Sequence, residues 1–212
     1  MIGTRGIIVG TGPSLTPEAI QLINQSRLPK FGCNLTYRDI NLDVFYANNK
    51  EFWDYYWPRD DQLRTGAFSK WTYEKSISDK YGIHYIRGVW KPSLSKDPNT
   101  LHYGHGSGYE LLGIAYLHGI REAILIGYDI RMPRGYDGHT HTIGDGKRNY
   151  FGEYPPELQH WPRFHIKDDG AMDGLLRMYR TIDCEDLGLR IVNCSPGTSL
   201  DFFEIGELSE WV

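Results

Sequence analysis

Cysteine is scarce: there are three, Cys33, Cys184 and Cys194, far apart and with no Cys-x-x-Cys pair. An odd, dispersed set excludes a disulfide framework or a structural zinc site as the organiser of the fold, and it fits a reducing compartment. Long apolar runs are missing too. No window approaches the roughly 18 residues of a membrane span. The first ten residues lead straight into a strand pattern rather than a basic region followed by an apolar stretch, so the expected location is cytoplasmic. Positive charge is in deficit, with 23 Lys and Arg against 27 Asp and Glu and a net charge of −4. General nucleic-acid binding needs clustered Lys and Arg, so this balance argues against it. A Gly-x-Ser-x-Gly elbow is absent, and no cysteine has a partner motif beside it, which disfavours hydrolysis through a covalent nucleophile.

What the chain has in quantity is glycine and aromatics: 24 Gly, 15 Tyr and 6 Trp in 212 residues, within an ordinary globular balance of 40% hydrophobic and 24% charged. Such a composition points to aromatic-lined loops around a small-molecule site. The length fits a single domain over 1–212. Arg5-Gly6-Ile7-Ile8-Val9 reads as a buried parallel strand, and Thr16-Pro17-Glu18 as a helix start with an N-cap and proline in the first turn. Short strands are expected at 30–33, 42–46, 83–86, 123–127 and 189–192. The clearest helix is expected over 108–117, with Leu111, Leu112, Ala115 and Tyr116 as its apolar stripe; another is expected over 167–179. This alternation predicts an α/β fold, a Rossmann-like, doubly wound, mostly parallel sheet. The stretch from about 130 to 165 has no sustained period and is rich in Gly, Pro, Tyr, Trp and His, which marks it as a lid.

Several loops carry candidate chemistry. Gly10-Thr11-Gly12-Pro13-Ser14 lies between a strand and a helix, where glycines let backbone approach a phosphate and a helix N-terminus offers N–H donors. It lacks the third glycine of the dinucleotide fingerprint and the Gly-Lys-Ser/Thr of a Walker loop, so a plain βα turn is the alternative. Asn34, Asn48 and Asn49 follow expected strands and can donate to and accept from a sugar or base, or simply make turns. Gly104-His105-Gly106-Ser107-Gly108 opens a helix and suits an anion, with an N-cap role for Ser107 as the alternative. His165, at the edge of the lid, has the near-neutral pKa range of a general base. His139 and His141 with Asp137 and Asp145 resemble a metal cluster in composition but lack the geometry of a helical pair, and no metal is expected.

The ordered set resembles the bacterial sialyltransferases that finish lipooligosaccharides, the glycosyltransferase family 42 type. The likeness runs through Gly10-x-Gly12-Pro13-Ser14-Leu15, Cys33-Asn34, Val44-Phe45-Tyr46, Ser107-Gly108, Gly127-Tyr128-Asp129, His165 with Lys167 and Asp168, and Cys194-Ser195-Pro196. It implies transfer of a sugar from a CMP-sugar to a hydroxyl acceptor such as a glycan, with no metal or other cofactor, in a homo-oligomer. It assigns His165 as base, Asn34 with Asn48 or Asn49 to the nucleotide, and Ser107 to a donor carboxylate, with Gly10, Thr11, Gly12, Pro13, Ser14, Gly108 and Asp129 in the donor site. Lid tyrosines would stabilise the departing phosphate. The chain departs from the pattern at Thr11, where the family has Asn, at Ala47 in place of the third-strand Asn, in lacking an arginine before Ser107, and in lacking an apolar or basic C-terminal tail. Arg131 stands where the first lid tyrosine is expected. Arg131 and Tyr136 can supply the phosphate donors.

A second likeness, in the Gly-x-Gly-Pro-Ser-Leu opening and the late aspartate-bearing loops, is to the 6-hydroxymethylpterin diphosphokinase-like family. It implies an ATP-dependent diphosphokinase with Mg²⁺ on carboxylates such as Asp129, Asp168 or Asp169. A nucleotide-binding module without chemistry is the third alternative.

Overall fold

Apolar runs as distant in sequence as Ile7-Ile8-Val9 and Ile124-Leu125-Ile126 come together at the centre of one sheet. In the computed structural model of the chain, residues 4–104, 106–130, 149–159 and 169–212 are described, with the side chains of all of these except 159 and 169–173. The order is β1 (Arg5–Val9), α1 (Pro17–Gln25), β2 (Lys30–Cys33), a 3₁₀ turn (Asn34–Arg38), β3 (Val44–Tyr46), α2 (Lys50–Tyr56), α3 (Asp61–Thr65), β4 (Ser69–Thr72), α4 (Lys75–Tyr81) and β5 (His84–Tyr85). Then come β6 (Arg87–Trp90), β7 (Thr100–Tyr103), α5 (Ser107–Leu117), β8 (Glu122–Ile126), α6 (Pro156–Gln159), α7 (Asp169–Arg180), α8 (Cys184–Leu187), β9 (Arg190–Asn193), β10 (Glu204–Ile205) and α9 (Leu208–Trp211).

The main sheet has eight strands in the order β10-β9-β8-β1-β2-β3-β4-β5, and every pair in it is parallel. The chain winds outward from β1 to β5, then returns through α5 to lay β8 on the other edge of β1, with Arg5 opposite Glu122 and Val9 opposite Ile126. This is the expected doubly wound α/β arrangement, and its switch point lies between β1 and β8. Strands β6 and β7 form a separate parallel pair.

Alternation along each strand divides the core in two. Ile8, Phe31 and Leu125 face α5, whereas Ile7, Val9, Phe45, Ile124 and Ile126 face Ala19 and Ile23 of α1 and Phe52 and Trp53 of α2. The helix α1 begins as expected, the Thr16 side chain accepting from Ala19 N–H with Pro17 in its first turn. Two expectations need correction. Helix α5 is not amphipathic: all eight residues from Tyr109 to Tyr116 are buried, between the sheet on one side and Leu101 of β7 and α7 on the other. Burying Leu111, Leu112 and Ile114 stabilises the fold by roughly 1.5–3 kcal/mol each. Many aromatics are also core rather than loop lining: Trp53, Tyr37, Tyr46, Tyr109, Tyr128 and Tyr179 are fully buried. Tyr37, Phe45 and Trp53 meet edge to face, an arrangement that adds to their burial energy.

Among the described residues, no helix is long and apolar enough to cross a membrane, and no group of three or more His, Cys, Asp or Glu could hold a metal ion. The helix expected over 167–179 is α7, and the strands expected at 42–46 and 83–86 are shorter, at β3 and β5. Within the expected lid, 149–159 is docked structure with its own short helix, and Leu158 is buried.

Candidate functional site

Ligands of open parallel sheets sit outside the carboxyl ends of the strands at the switch point, which here means the loops after β1 and β8. These two loops touch. Gly10 N–H donates to Ile126 O and Gly12 N–H to Gly127 O, both at 2.8 Å. A Cβ on Gly10 would lie 2.5 Å from Gly127 O, and one on Gly12 would lie 2.0 Å from Asp129 Oδ2. The glycines therefore serve loop-to-loop contact first, and two of the N–H groups expected to face a phosphate are already engaged. Thr11 N–H, at the tip, has no acceptor among the described residues.

Asp129 clamps the pair of loops together. Its Oδ2 accepts from Ser14 Oγ at 2.7 Å and from Ser14 N–H at 3.2 Å. The Cys194-Ser195-Pro196 turn fastens the same loop from the other side, Ser195 Oγ accepting from Tyr128 N–H at 2.8 Å and Thr198 Oγ1 donating to Tyr128 O at 2.7 Å. Ser14 and Asp129 thus sit where the sequence places them, with their side chains turned to each other.

The asparagines divide into two kinds. Asn34 ends β2 in the left-handed region at φ 54°, a conformation its short polar side chain tolerates, and its half-buried amide bonds no described residue. Asn49 precedes α2 without capping it, and its amide is likewise uncommitted. Asn48 is engaged at both ends: Nδ2 donates to Glu110 Oε2 at 2.8 Å, and Oδ1 accepts from Ser107 Oγ at 3.1 Å. Ser107 is therefore not an N-cap. Gly106 holds that position, without a side-chain bond, and the N–H groups of Ser107 and Gly108 have no acceptor among the described residues. Gly108 has a packing role as well, since its carbonyl accepts from Tyr128 Oη at 2.8 Å and a Cβ there would meet both Tyr128 and Tyr179 at 3.2 Å.

Glu110 is absent from the expected set and is the most unusual group present. It is fully buried in α5, and among the described residues its carboxylate accepts only from neutral donors: Tyr46 Oη at 2.9 Å, Asn48 Nδ2 at 2.8 Å and Gly104 N–H at 3.4 Å. Burial pushes its pKa from the usual 4.5 up to about 7, the three hydrogen bonds offsetting only part of the effect. A folded-state value above the unfolded one means that this group's stabilisation is fully present below pH 4.5 and is lost as pH rises through about 7. A displacement of that size is worth on the order of 3 kcal/mol. Glu110→Gln removes the charge, so the melting temperature of the native protein should fall between pH 5 and pH 8 by about 10 °C more than that of the variant. Parallel profiles for the two proteins would sink this assignment. The nearby Cys33 thiol is buried and raised to about 12, which leaves it inert as a nucleophile.

The described part of the expected lid is anchored on the first loop. Tyr150 N–H donates to Thr11 O at 2.9 Å, Thr11 Oγ1 to Asn149 Oδ1 at 3.1 Å, and Tyr150 Oη to Leu35 O and Asp39 Oδ2 at 3.1 and 2.8 Å. Arg131, Tyr136, His139, His141, His165 and Asp168 lie outside the described residues, as does the Asp169 side chain.

No protein-family model matches the chain, and no curated protein matches it in sequence. Solved structures do. CstII, a sialyltransferase from Campylobacter jejuni, in complex with the substrate analogue CMP-3FNeuAc, is similar with a TM-score of 0.51 and 15% identity over 99% of this chain and 89% of that one. Two variants of the same enzyme with CMP, one Tyr to Phe and one Asn to Ala, both give TM-scores of 0.52, at 14% and 12% identity. They cover 96% and 97% of this chain and 86% and 87% of theirs. At these identities the likeness is one of fold, and it spans nearly the whole chain.

Proposed function

We propose that the chain is a glycosyltransferase of the sialyltransferase type, which moves a sugar from a CMP-sugar to an acceptor hydroxyl. One observation carries the reading. In a fold shared with CMP-bound sialyltransferases, the strand ends around the switch point of this chain carry polar groups with no partner among the described residues: the amides of Asn34 and Asn49, Thr11 N–H, and the first N–H groups of α5. Side-chain amides suit a pyrimidine and ribose, and a helix N-terminus suits a negatively charged donor group.

In this mechanism His165 takes the proton of the acceptor hydroxyl, and the oxygen attacks the anomeric carbon. The bond from that carbon to the phosphate oxygen breaks, and CMP departs with the electron pair. Arg131 and Tyr136 donate to the departing phosphate, supplying the charge stabilisation that a metal provides in other transferases. Asp129 contributes indirectly, by holding Ser14 and the first loop in place.

A thermal-shift panel of CMP, CDP, UDP, GDP, ADP and ATP, each with and without Mg²⁺, tests the reading, because a ligand bound only by the native state raises its apparent stability. At 100 times its Kd, CMP should add roughly 2.7 kcal/mol, without metal. A Mg²⁺-dependent response to ATP alone would instead favour the diphosphokinase, and silence across the panel would remove the transferase reading.

A further inference from the structure

The Glu110, Asn48 and Ser107 side chains form a short hydrogen-bonded chain leading from a fully buried carboxyl to a half-buried hydroxyl at the mouth of α5. Its direction is fixed at the buried end. An ionised carboxylate only accepts, so Asn48 must turn Nδ2 to Glu110 and Oδ1 to Ser107, and the Ser107 hydroxyl spends its proton inward. The crevice is then offered the lone pairs of Ser107 Oγ, which repel an anion. If Glu110 carries a proton on Oε2, the amide of Asn48 satisfies the new arrangement by a half turn. Oδ1 then accepts from Glu110, Nδ2 donates to Ser107 Oγ, and the Ser107 proton is released toward the crevice. Tyr46 cannot take Asn48's place: accepting the Glu110 proton would strip its own buried hydroxyl of the one acceptor it has among the described residues.

We infer that Glu110 is a positioning residue for the proposed donor site, its charge setting through Asn48 whether Ser107 presents an acceptor or a donor, and so whether the site admits a carboxylate-bearing CMP-sugar. This rests on the CMP-sugar reading above for its ligand, though not for its hydrogen-bond chain. Among the described residues, the titratable groups that interact with Glu110 are Cys33 from β2, Tyr46 from β3, Tyr109 on its own helix and Tyr179 from α7, and burial raises the pKa of each. All four stay neutral near pH 7, so among these groups it is Glu110 that titrates there.

The first measurement needs no ligand. In ¹³C and ¹⁵N NMR, the Glu110 carboxyl and the Asn48 side-chain amide should follow one titration curve, and the Asn48 signals should stop moving in Glu110→Gln. An Asn48 amide indifferent to the titration of Glu110 would overturn the inference. The second is calorimetric binding of CMP-3FNeuAc, whose phosphodiester and carboxylate stay ionised between pH 6 and 8. Its affinity should fall about tenfold over that range as the protonated fraction falls. The dependence should vanish in Glu110→Gln, and also in Ser107→Ala, which leaves the buried carboxyl in place should the first variant fold poorly. The methyl phosphodiester of CMP, which has no carboxylate, should bind with the same affinity throughout. Equal pH dependence for both ligands, or its survival in both variants, overturns the proposed selection. Failure of both ligands to bind at any pH overturns the donor reading and the carboxylate selection with it, while the amide titration still decides the chain.

Discussion

On the proposed reading, His165→Ala should lower kcat by about 10²–10⁴-fold, the usual cost of losing a general base. An alcohol is a poor nucleophile at neutral pH, and the chemistry needs a group that is mostly unprotonated there yet still basic enough to accept the proton as the new bond forms. Histidine is the side chain whose unperturbed pKa meets both conditions. Steady-state kinetics with a CMP-sugar donor, measured as kcat and KM separately, distinguish the roles. A base lost from the transition state lowers kcat and kcat/KM together, whereas a group that merely binds substrate raises KM. The acidic limb of the profile, a rise in kcat/KM with pH expected of the native protein as the base loses its proton, should flatten in the variant. If kcat stays within about threefold of native, the base lies elsewhere. Addition of EDTA should leave the native rate unchanged; its loss would point instead to metal-bridged phosphoryl transfer.

The second large effect concerns stability. Gly127→Ala should lower the melting temperature by roughly 5–20 °C, from about 2–6 kcal/mol of lost stability in a chain of this length. Two costs combine. Gly127 has φ +76°, where a side chain costs about 1–3 kcal/mol. Its Cβ would also stand 2.6 Å from Gly10 O and 2.7 Å from Gly10 C, both backbone atoms of a central strand end. Relieving such overpacking costs about 1–3 kcal/mol more. Gly188→Ala provides the control, because Gly188 has a comparable φ of +56° but open space around it. It should lose only the conformational part. Equal losses at the two sites would mean that the close approach of the two loops contributes nothing.

The pattern of the sheet was legible because buried parallel strands announce themselves as short apolar runs: Arg5–Val9 and Lys30–Cys33 lie where the sequence places them, and β8 and β9 within a residue. β4, Ser-Lys-Trp-Thr, was not legible. It sits near the sheet edge with three of its four residues half-buried, so no apolar run marks it. α2 was hidden by an aromatic composition that reads as loop, although Phe52, Trp53 and Tyr56 are core residues, and α3 by its brevity of five residues. At the site, the glycines were found for their freedom of approach, but what they approach is another loop, and contact between residues more than 110 apart leaves no local signature. Glu110 did leave one. It is the only charged residue in an otherwise uncharged helix, with Gly106, Ser107, Gly113 and Ile114 at its helical neighbours and no cation among them. An acid in such a run is either exposed or deliberately buried, and the absence of any polar stripe around it argues for the second.

The position of β1 also shapes how the chain meets its own synthesis. One edge of β1 finds β2 within a few dozen residues, but the other pairs with β8, joining Arg5 to Glu122. A ribosome adding about 5–20 residues per second leaves that second edge, with Ile7, Ile8 and Val9 beside it, open for several seconds or more. An unpaired apolar strand edge is a template for the wrong partner. Nascent chains halted before β8 emerges should therefore need chaperone protection, and those that include β8 should not.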